Sequence, residues 1–401
     1  MTQPPAFRAV IAIVGTGPAA LMAALVLARQ GHSIRLFEKK KGPGRKFLIA
    51  GSSGLNVTYD APFEEFHKFY QGPEDRFKAF FQMFPPASWL KTINDLGLET
   101  FKGTSRRYFV KGMKASTLLR AWLRELEELG ATVAYDHELV DFTRTKEGRA
   151  HLTFSNHNSI TTDAVCLALG GASWEKTETP LRWPRMFTTK GLSFREFQPS
   201  NVGYEVSGLP DFLAEAEGQP LKNVTLTTSK GTKRGDLVVT SYGLEGTPVY
   251  FVDTCGTATL DLKPDLTAAQ IVARLESMKE NRSPLRRVKK LMNLSPAALA
   301  LVSAAAPKTA LENISAMATI LKNFPLNLNR PRPLTEAISS SGGLDWEELD
   351  ESLQLRRYPG FYAMGEMLNW DAPTGGFLIQ GCVSQGFFAA QALCRALGSS
   401  K

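Results

Sequence analysis

Apolar positions along this chain follow two rhythms. From Ala9 to Val14 they run unbroken, as in a strand buried on both faces of a parallel sheet, and from Leu21 to Ala28 they continue at helical length. Between the two stands Gly15-Thr16-Gly17-Pro18-Ala19-Ala20, and beyond the helix Ser33-Ile34-Arg35-Leu36-Phe37 reads as a second strand ending at Glu38. This is the pattern of a βαβ unit. Residues 115–129 have the spacing of an amphipathic helix and residues 131–145 read as paired strands. Residues 163–169 form a further buried run that closes in Gly170-Gly171. Near the other end, residues 360–366 read as a short strand closing in Gly365-Glu366, and residues 378–397 as a long apolar helix.

From Ser193 the rhythm changes. Residues 202–206, 221–228, 237–240, 248–251 and 257–262 are short β-runs broken by Gly, Pro and Asn, the spacing of a small antiparallel sheet or barrel. Residues 266–322 are helical in period, with starts at Thr267, Ser283-Pro284 and Ser295-Pro296, and residues 324–328 return as a strand. The simplest organisation is a discontinuous nucleotide-binding domain (1–190 and 331–401), a β insert (191–265 and 323–330) and a helical insert (266–322).

The glycines carry the chemistry. Gly15 permits the turn, Gly17 lets backbone approach a pyrophosphate, and Ala20 is the small residue where helix packs on sheet. Pro18 and Ala19 open the helix, whose N-terminus offers N–H groups to the diphosphate. Glu38, about twenty residues on, is placed to accept ribose hydroxyl hydrogen bonds. The segment after it, through Gly44-Arg45-Lys46, Ser52 and Asn56, reads as a long loop that suits the ribityl and ring portions of FAD better than a nicotinamide dehydrogenase repeat. Lys39 to Lys41 read as a solvated run, with Lys39 retained as a cofactor candidate beside the acid. Gly375-Gly376, ahead of Phe377 and the long helix, would bring backbone N–H groups and a positive helix end to the flavin pyrimidine. Leu139, Val140, Ala168, Gly170, Gly171, Gly365, Glu366 and Asp371 complete the cofactor set. The two acids read as ligands of cofactor hydroxyls.

These motifs resemble the YhiN/BaiN-type flavoproteins, the FAD-binding family that also takes in aminoacetone oxidase-like enzymes. The resemblance rests on Gly15 to Ala20, Gly44-Arg45-Lys46 with Asn56-Val57-Thr58, Ala168 to Ser173, Gly365-Glu366-Met367-Leu368 and Pro373-Thr374-Gly375-Gly376-Phe377, spread over the whole chain. Tyr242-Gly243-Leu244-Glu245-Gly246 and Pro333 to Ser339 also resemble family segments. It implies an α/β fold: a Rossmann-like, glutathione-reductase-type FAD domain with an inserted β-barrel or sheet domain that itself carries a helical insertion. No residue for covalent attachment is placed near the expected ring, so the FAD is expected to be non-covalent. Two departures stand out: Ser52-Ser53-Gly54-Leu55-Asn56 replaces the Gly-Gly-Arg-Cys-Asn of many members, and residues 174–185 lack the usual glycine-rich continuation. No substrate is carried over.

Composition adds constraints. At 401 residues the chain exceeds one ordinary domain. Cys166, Cys255, Cys382 and Cys394 form no Cys-x-x-Cys pair, which excludes a dithiol flavoenzyme mechanism and points to a reducing, cytoplasmic setting. No signal peptide and no membrane-spanning run is expected. His32, His67, His137, His151 and His157 read as surface or loop residues, and neither a metal-ligand cluster nor a serine-histidine-acid set is apparent. Arg106, Arg107 and Tyr108 suit either an anchor for a carboxylate or phosphate or exposed loop charge. No catalytic residue is assigned and oligomeric state is left open. The expected activity is FAD-dependent hydride transfer with a small organic substrate, an amine among them. The alternatives are an NAD(P)H-dependent reductase of an unsaturated or keto substrate, with a nicotinamide visiting transiently, and an RNA-modifying flavoprotein. A net charge of +8 and the cluster Arg282, Arg286, Arg287, Lys289 and Lys290 prompt the last, but the absence of stacking aromatics there makes a nucleic-acid partner the weaker expectation.

Overall fold

A computed structural model describes residues 8–51, 54–174, 181–252, 254–278 and 282–398. The chain divides into two compact units, Met1–Gln198 with Ser340–Lys401, and Pro199–Ser339.

The elements of the first unit that position the site are β1 (Val10–Val14), α1 (Pro18–Arg29), β2 (Ser33–Phe37), α2 (Arg45–Ala50), β3 (Asn56–Tyr59), β4 (Thr132–Ala134), β5 (Leu139–Arg144), β6 (Ala164–Leu167), β7 (Phe361–Ala363) and α3 (Phe377–Gly398). A parallel five-stranded sheet runs β7-β6-β1-β2-β4. Its central strands are apolar on both faces, with Ile11, Ile13, Val165 and Leu167 fully buried, as a sheet covered by helices on each side requires. α3 crosses α1 closely because residue 386 is glycine. A Cβ there would lie 2.3 Å from the Ala19 carbonyl oxygen.

Four sequence expectations change here. Residues 131–145 are not paired with each other: Arg35 aligns with Thr132, so β4 extends the parallel sheet. Asp136, at φ 56°, then turns the chain, and β5 pairs with Ala150–Phe154 in a separate sheet. The expected loop after Glu38 holds α2 and β3, because left-handed Gly44 (φ 59°) starts a helix and β3 finds the strand Arg107–Val110. Residues 248–251 are helical, within Thr247–Val252. Gly246 (φ 121°) ends the preceding strand, Pro248 fits a first helical turn, and Val249 and Val252 turn inward one turn apart. Finally, α3 is long and apolar enough to cross a membrane by length and composition, contrary to expectation. Its apolar length is explained by burial, since Val383, Ala389, Ala390 and Leu393 lie in the core of this unit.

In the second unit, Tyr204–Val206, Gly243–Glu245, Gly231–Val239, Pro220–Thr228, Gly256–Asp261 and Phe324–Pro331 close a six-stranded antiparallel barrel in that order. Gly243 is required for closure, because a Cβ would lie 2.1 Å from the Tyr204 carbonyl oxygen. Glu245, at the end of that strand, accepts hydrogen bonds from the Tyr242 and Tyr250 hydroxyls. Barrel residues Leu226, Val239 and Leu260 share one apolar core with Ile271, Val288, Leu301 and Met317 of the helices between the last two strands. These helices start where the sequence places them: Thr267 and Gln270 form a capping box, Ser283 precedes Pro284, and Ser295 Oγ accepts the Ala298 N–H at 3.3 Å.

Candidate nucleotide-binding site

β1 ends directly below the glycine turn. The Gly15 N–H donates to Phe37 O at 2.7 Å, tying the turn to the end of β2. Gly15 takes φ 111°, and a Cβ there would stand 2.2 Å from Ala168 O, so both conformation and space exclude a side chain. Gly17 differs. Its φ of −79° suits any residue, and a Cβ on it would meet no protein atom within 4 Å. Packing does not demand glycine there; the open space above it does not belong to the protein's own side chains.

That space is a cavity of about 360 Å³. Gly17 is the N-cap of α1, with no side-chain cap, so the first-turn N–H groups of Ala19 and Ala20 face this region without a side-chain partner. An anion suits them, because their dipoles and the helix end both favour negative charge. Lys39, Lys40, Arg45 and Lys46 also line the cavity. Glu38 lines it too, and its orientation is fixed: Oε1 accepts the Lys40 N–H at 2.9 Å and Oε2 accepts the Thr16 hydroxyl, whose oxygen in turn accepts the Gly44 N–H at 3.0 Å.

Fourteen sequence candidates line this one cavity: Gly15, Gly17, Pro18, Ala19, Ala20, Glu38, Lys39, Arg45, Lys46, Leu139, Ala168, Gly170, Gly365 and Glu366. Gly171 stands just behind its wall, where its carbonyl accepts a hydrogen bond from Lys46 Nζ. Val140 lies half-buried in β5 outside the cavity, and Ser52 falls outside the described residues. Asn56, Asp371, Gly375, Gly376 and Phe377 also lie outside it and gather around β3 and the start of α3. A Cβ on Gly376 would be 2.6 Å from the Thr58 N, and one on Gly375 would be 3.0 Å from Arg107 Nε. Asp371 is buried, its Oδ1 accepting the Ala372 N–H at 2.8 Å. Phe377 is a core side chain, with Phe69 at 4.7 Å and Tyr59 at 4.9 Å between ring centroids.

Sequence reasoning missed several lining residues. Thr16 sits inside the glycine motif, where its hydroxyl bridges Gly44 and Glu38. Trp174 and Trp183 come from the stretch lacking family glycines, and Trp183 packs edge-on against Phe187, Phe194 and Phe197. Cys382 also lines the cavity, with burial pushing its thiol pKa well above the ordinary range and favouring the neutral thiol. The histidine expectation is corrected for His67, which is helical and buried; His32 and His137 are loop residues as expected, though His32 is buried and His137 reaches the cavity. His67 is buried, with Nδ1 3.1 Å from Phe63 O and Nε2 3.1 Å from Glu74 Oε1. His32 is buried, which lowers its pKa. His137 lines the cavity, its Nδ1 2.6 Å from Tyr135 O. The signal available was position: His137 stands two residues before β5.

Arg107 opens the strand paired with β3, and Arg106 stands 5.6 Å over the Tyr59 ring.

Comparison with known proteins agrees with this geometry. The family model described as "HI0933-like protein Rossmann domain" matches residues 9–392. The ribosomal RNA dihydrouridine synthase of Escherichia coli is 22% identical over 96% of this chain and 98% of its own length. The 3-dehydro-bile acid delta(4,6)-reductase of Clostridium scindens is 21% identical over 95% and 98%. Among solved structures, the 3-ketosteroid delta1-dehydrogenase of Sterolibacterium denitrificans superposes with a TM-score of 0.53 at 13% identity, covering 98% of this chain and 99% of its own; at that identity the likeness concerns the fold.

Proposed function

The chain belongs to the HI0933-like Rossmann-domain family, and from that premise we propose that it is an FAD-dependent oxidoreductase reducing a carbon–carbon double bond conjugated to a carbonyl. Gly17 carries the cofactor reading: a glycine needed by neither backbone nor packing stands at an uncapped helix end over a cavity whose wall includes Lys39, Lys40, Arg45 and Lys46. The first turn of α1 would hold the pyrophosphate, with Arg45 and Lys46 offsetting its charge. Glu38 would accept a ribose hydroxyl, its carboxylate already aimed by Thr16 and the Lys40 N–H. The ring end is assigned, on the sequence pattern, to Asn56, Gly375 and Gly376, which gather around β3 and the start of α3 outside the cavity. FAD, when bound, supplies the hydride donor and acceptor.

The choice of substrate bond comes from the two relatives, whose names describe synthesis of dihydrouridine in ribosomal RNA and delta(4,6)-reduction of a 3-dehydro-bile acid. Both reactions deliver a hydride to carbon. The chain carries one dinucleotide fingerprint, so a nicotinamide reductant would dock without one of its own. Anaerobic stopped-flow tests the reading. NADPH or NADH should bleach the flavin band, and an α,β-unsaturated ketone should restore it faster than air does. Rapid bleaching by small amines with fast recovery in air would instead make the protein an amine oxidase.

A further inference from the structure

The second unit concentrates positive charge on one helix. Between Glu280 and Glu312 the sequence has no acid, yet it carries Arg282, Arg286, Arg287, Lys289, Lys290 and Lys308. Four of these belong to the helix Pro284–Leu291. Pro284 and Val288, with Met292 just beyond the helix, fall one turn apart and are buried, which leaves Arg286, Lys289 and Lys290 exposed with Arg282 ahead of them. Arg287 is half-buried and acts in the scaffold: Nη1 donates to Leu275 O at 2.8 Å and to Met278 O at 3.2 Å, pinning the helix to its neighbour.

We propose that this exposed basic face docks the phosphate backbone of folded RNA. The chemistry selects among polyanions. A bilayer surface would call for exposed apolar side chains to insert, and here Pro284, Val288 and Met292 face inward while Leu285 and Leu291 are half-buried. Single strands call for aromatic stacking, and no aromatic residue stands between Phe251 and Phe324. Cations without aromatics contact phosphates and fix position on the partner without reading bases. The match over nearly the whole chain to a ribosomal RNA-modifying enzyme is consistent with that partner. Docking is independent of the flavin reading, since no cofactor candidate lies in this unit.

The test uses the full-length purified protein and a fluorescein-labelled RNA hairpin, titrated by fluorescence polarisation across a KCl series. Arg286→Glu with Lys289→Glu is compared with Lys91→Glu with Lys111→Glu, an equal charge change on exposed residues of the other unit. The first pair should weaken binding at least tenfold more than the control, and lower the salt slope by about 2, at roughly 0.9 per phosphate lost. Equal weakening by both pairs, no salt-dependent hairpin binding, or preferential binding to phosphatidylglycerol vesicles would each overturn the proposal. Flavin per chain is read alongside: a colourless protein that still binds RNA fails the FAD reading alone.

Discussion

Replacing Gly17 with Val separates folding from cofactor binding, because this glycine has no structural duty of its own. Its backbone (φ −79°, ψ 177°) is extended and open to a β-branched residue, and the new Cβ meets no protein atom within 4 Å. Loss of a preferred N-cap costs about 1 kcal/mol. The stiffer unfolded chain returns roughly 0.4–1 kcal/mol. The apo-protein's melting temperature should therefore move by no more than about 2–4 °C. Binding should suffer far more. If the valine methyls keep a pyrophosphate from the α1 N-terminus, at least two hydrogen bonds to a charged group are lost, each worth about 1.5–3 kcal/mol. The sum, about 3–6 kcal/mol, corresponds to a 10²- to 10⁴-fold weaker Kd. Flavin fluorescence quenching on titrating apo-protein measures Kd, and differential scanning fluorimetry on both apo-proteins keeps ligand linkage out of the comparison. Full FAD content in the variant, or an apo-variant that does not fold, would refute the reasoning. Gly15→Ala is the contrasting case: with φ 111° and Ala168 O at 2.2 Å it should fail in the fold itself.

Gly386→Ala should destabilise the first unit by a few kcal/mol, as overpacking at a helix crossing does, because its Cβ would meet the Ala19 carbonyl oxygen at 2.3 Å; chemical denaturation reads this as a lower midpoint. Asp350 governs an acid-dependent term. Burial pulls its carboxyl upward, but hydrogen bonds from Ser352 and Gln354 outweigh this and hold its pKa below the ordinary value. A depressed folded pKa gives stability present above the unfolded value near pH 4 and lost as pH falls through the folded one. Asp350→Ala should thus lower the melting temperature at pH 6, and the gap to the parent should narrow as pH falls below about 4; a gap that does not narrow with falling pH would contradict this. Cys382, neutral and lining the cavity, should react with a small maleimide more slowly in the FAD-loaded protein than in apo-protein, while exposed Cys255 reacts equally in both, as read by mass spectrometry of the peptides.

The βαβ unit was legible because each of its signals is local: an unbroken apolar run, a glycine turn and an acid at the next strand's end. The same holds for the helix starts: Thr267 has its capping-box partner Gln270 three residues on, and Ser283 and Ser295 are each followed at once by proline. What escaped was decided by distant partners. Thr132–Ala134 lies beside Ser33–Phe37 through a parallel register no local pattern encodes, so residues 131–145 read falsely as a hairpin. Val249 and Val252 suit strand or helix alike, and the left-handed Gly246 decided between them. In the site, glycines and acids announced themselves, whereas Trp174, Trp183 and His137 reach the cavity wall through the path of the chain. The C-terminal glycines read as cofactor contacts; the structure gives Gly376 a packing duty against Thr58 that the sequence did not show.

The central claim, that the Gly17 cavity is an FAD site, is tested most directly by denaturing the native purified protein in acid and chromatographing what it releases. One FAD per chain, freed without proteolysis and absent from Gly17→Val, is the predicted result. A colourless native protein, or one that releases a nicotinamide dinucleotide and no flavin, would contradict it.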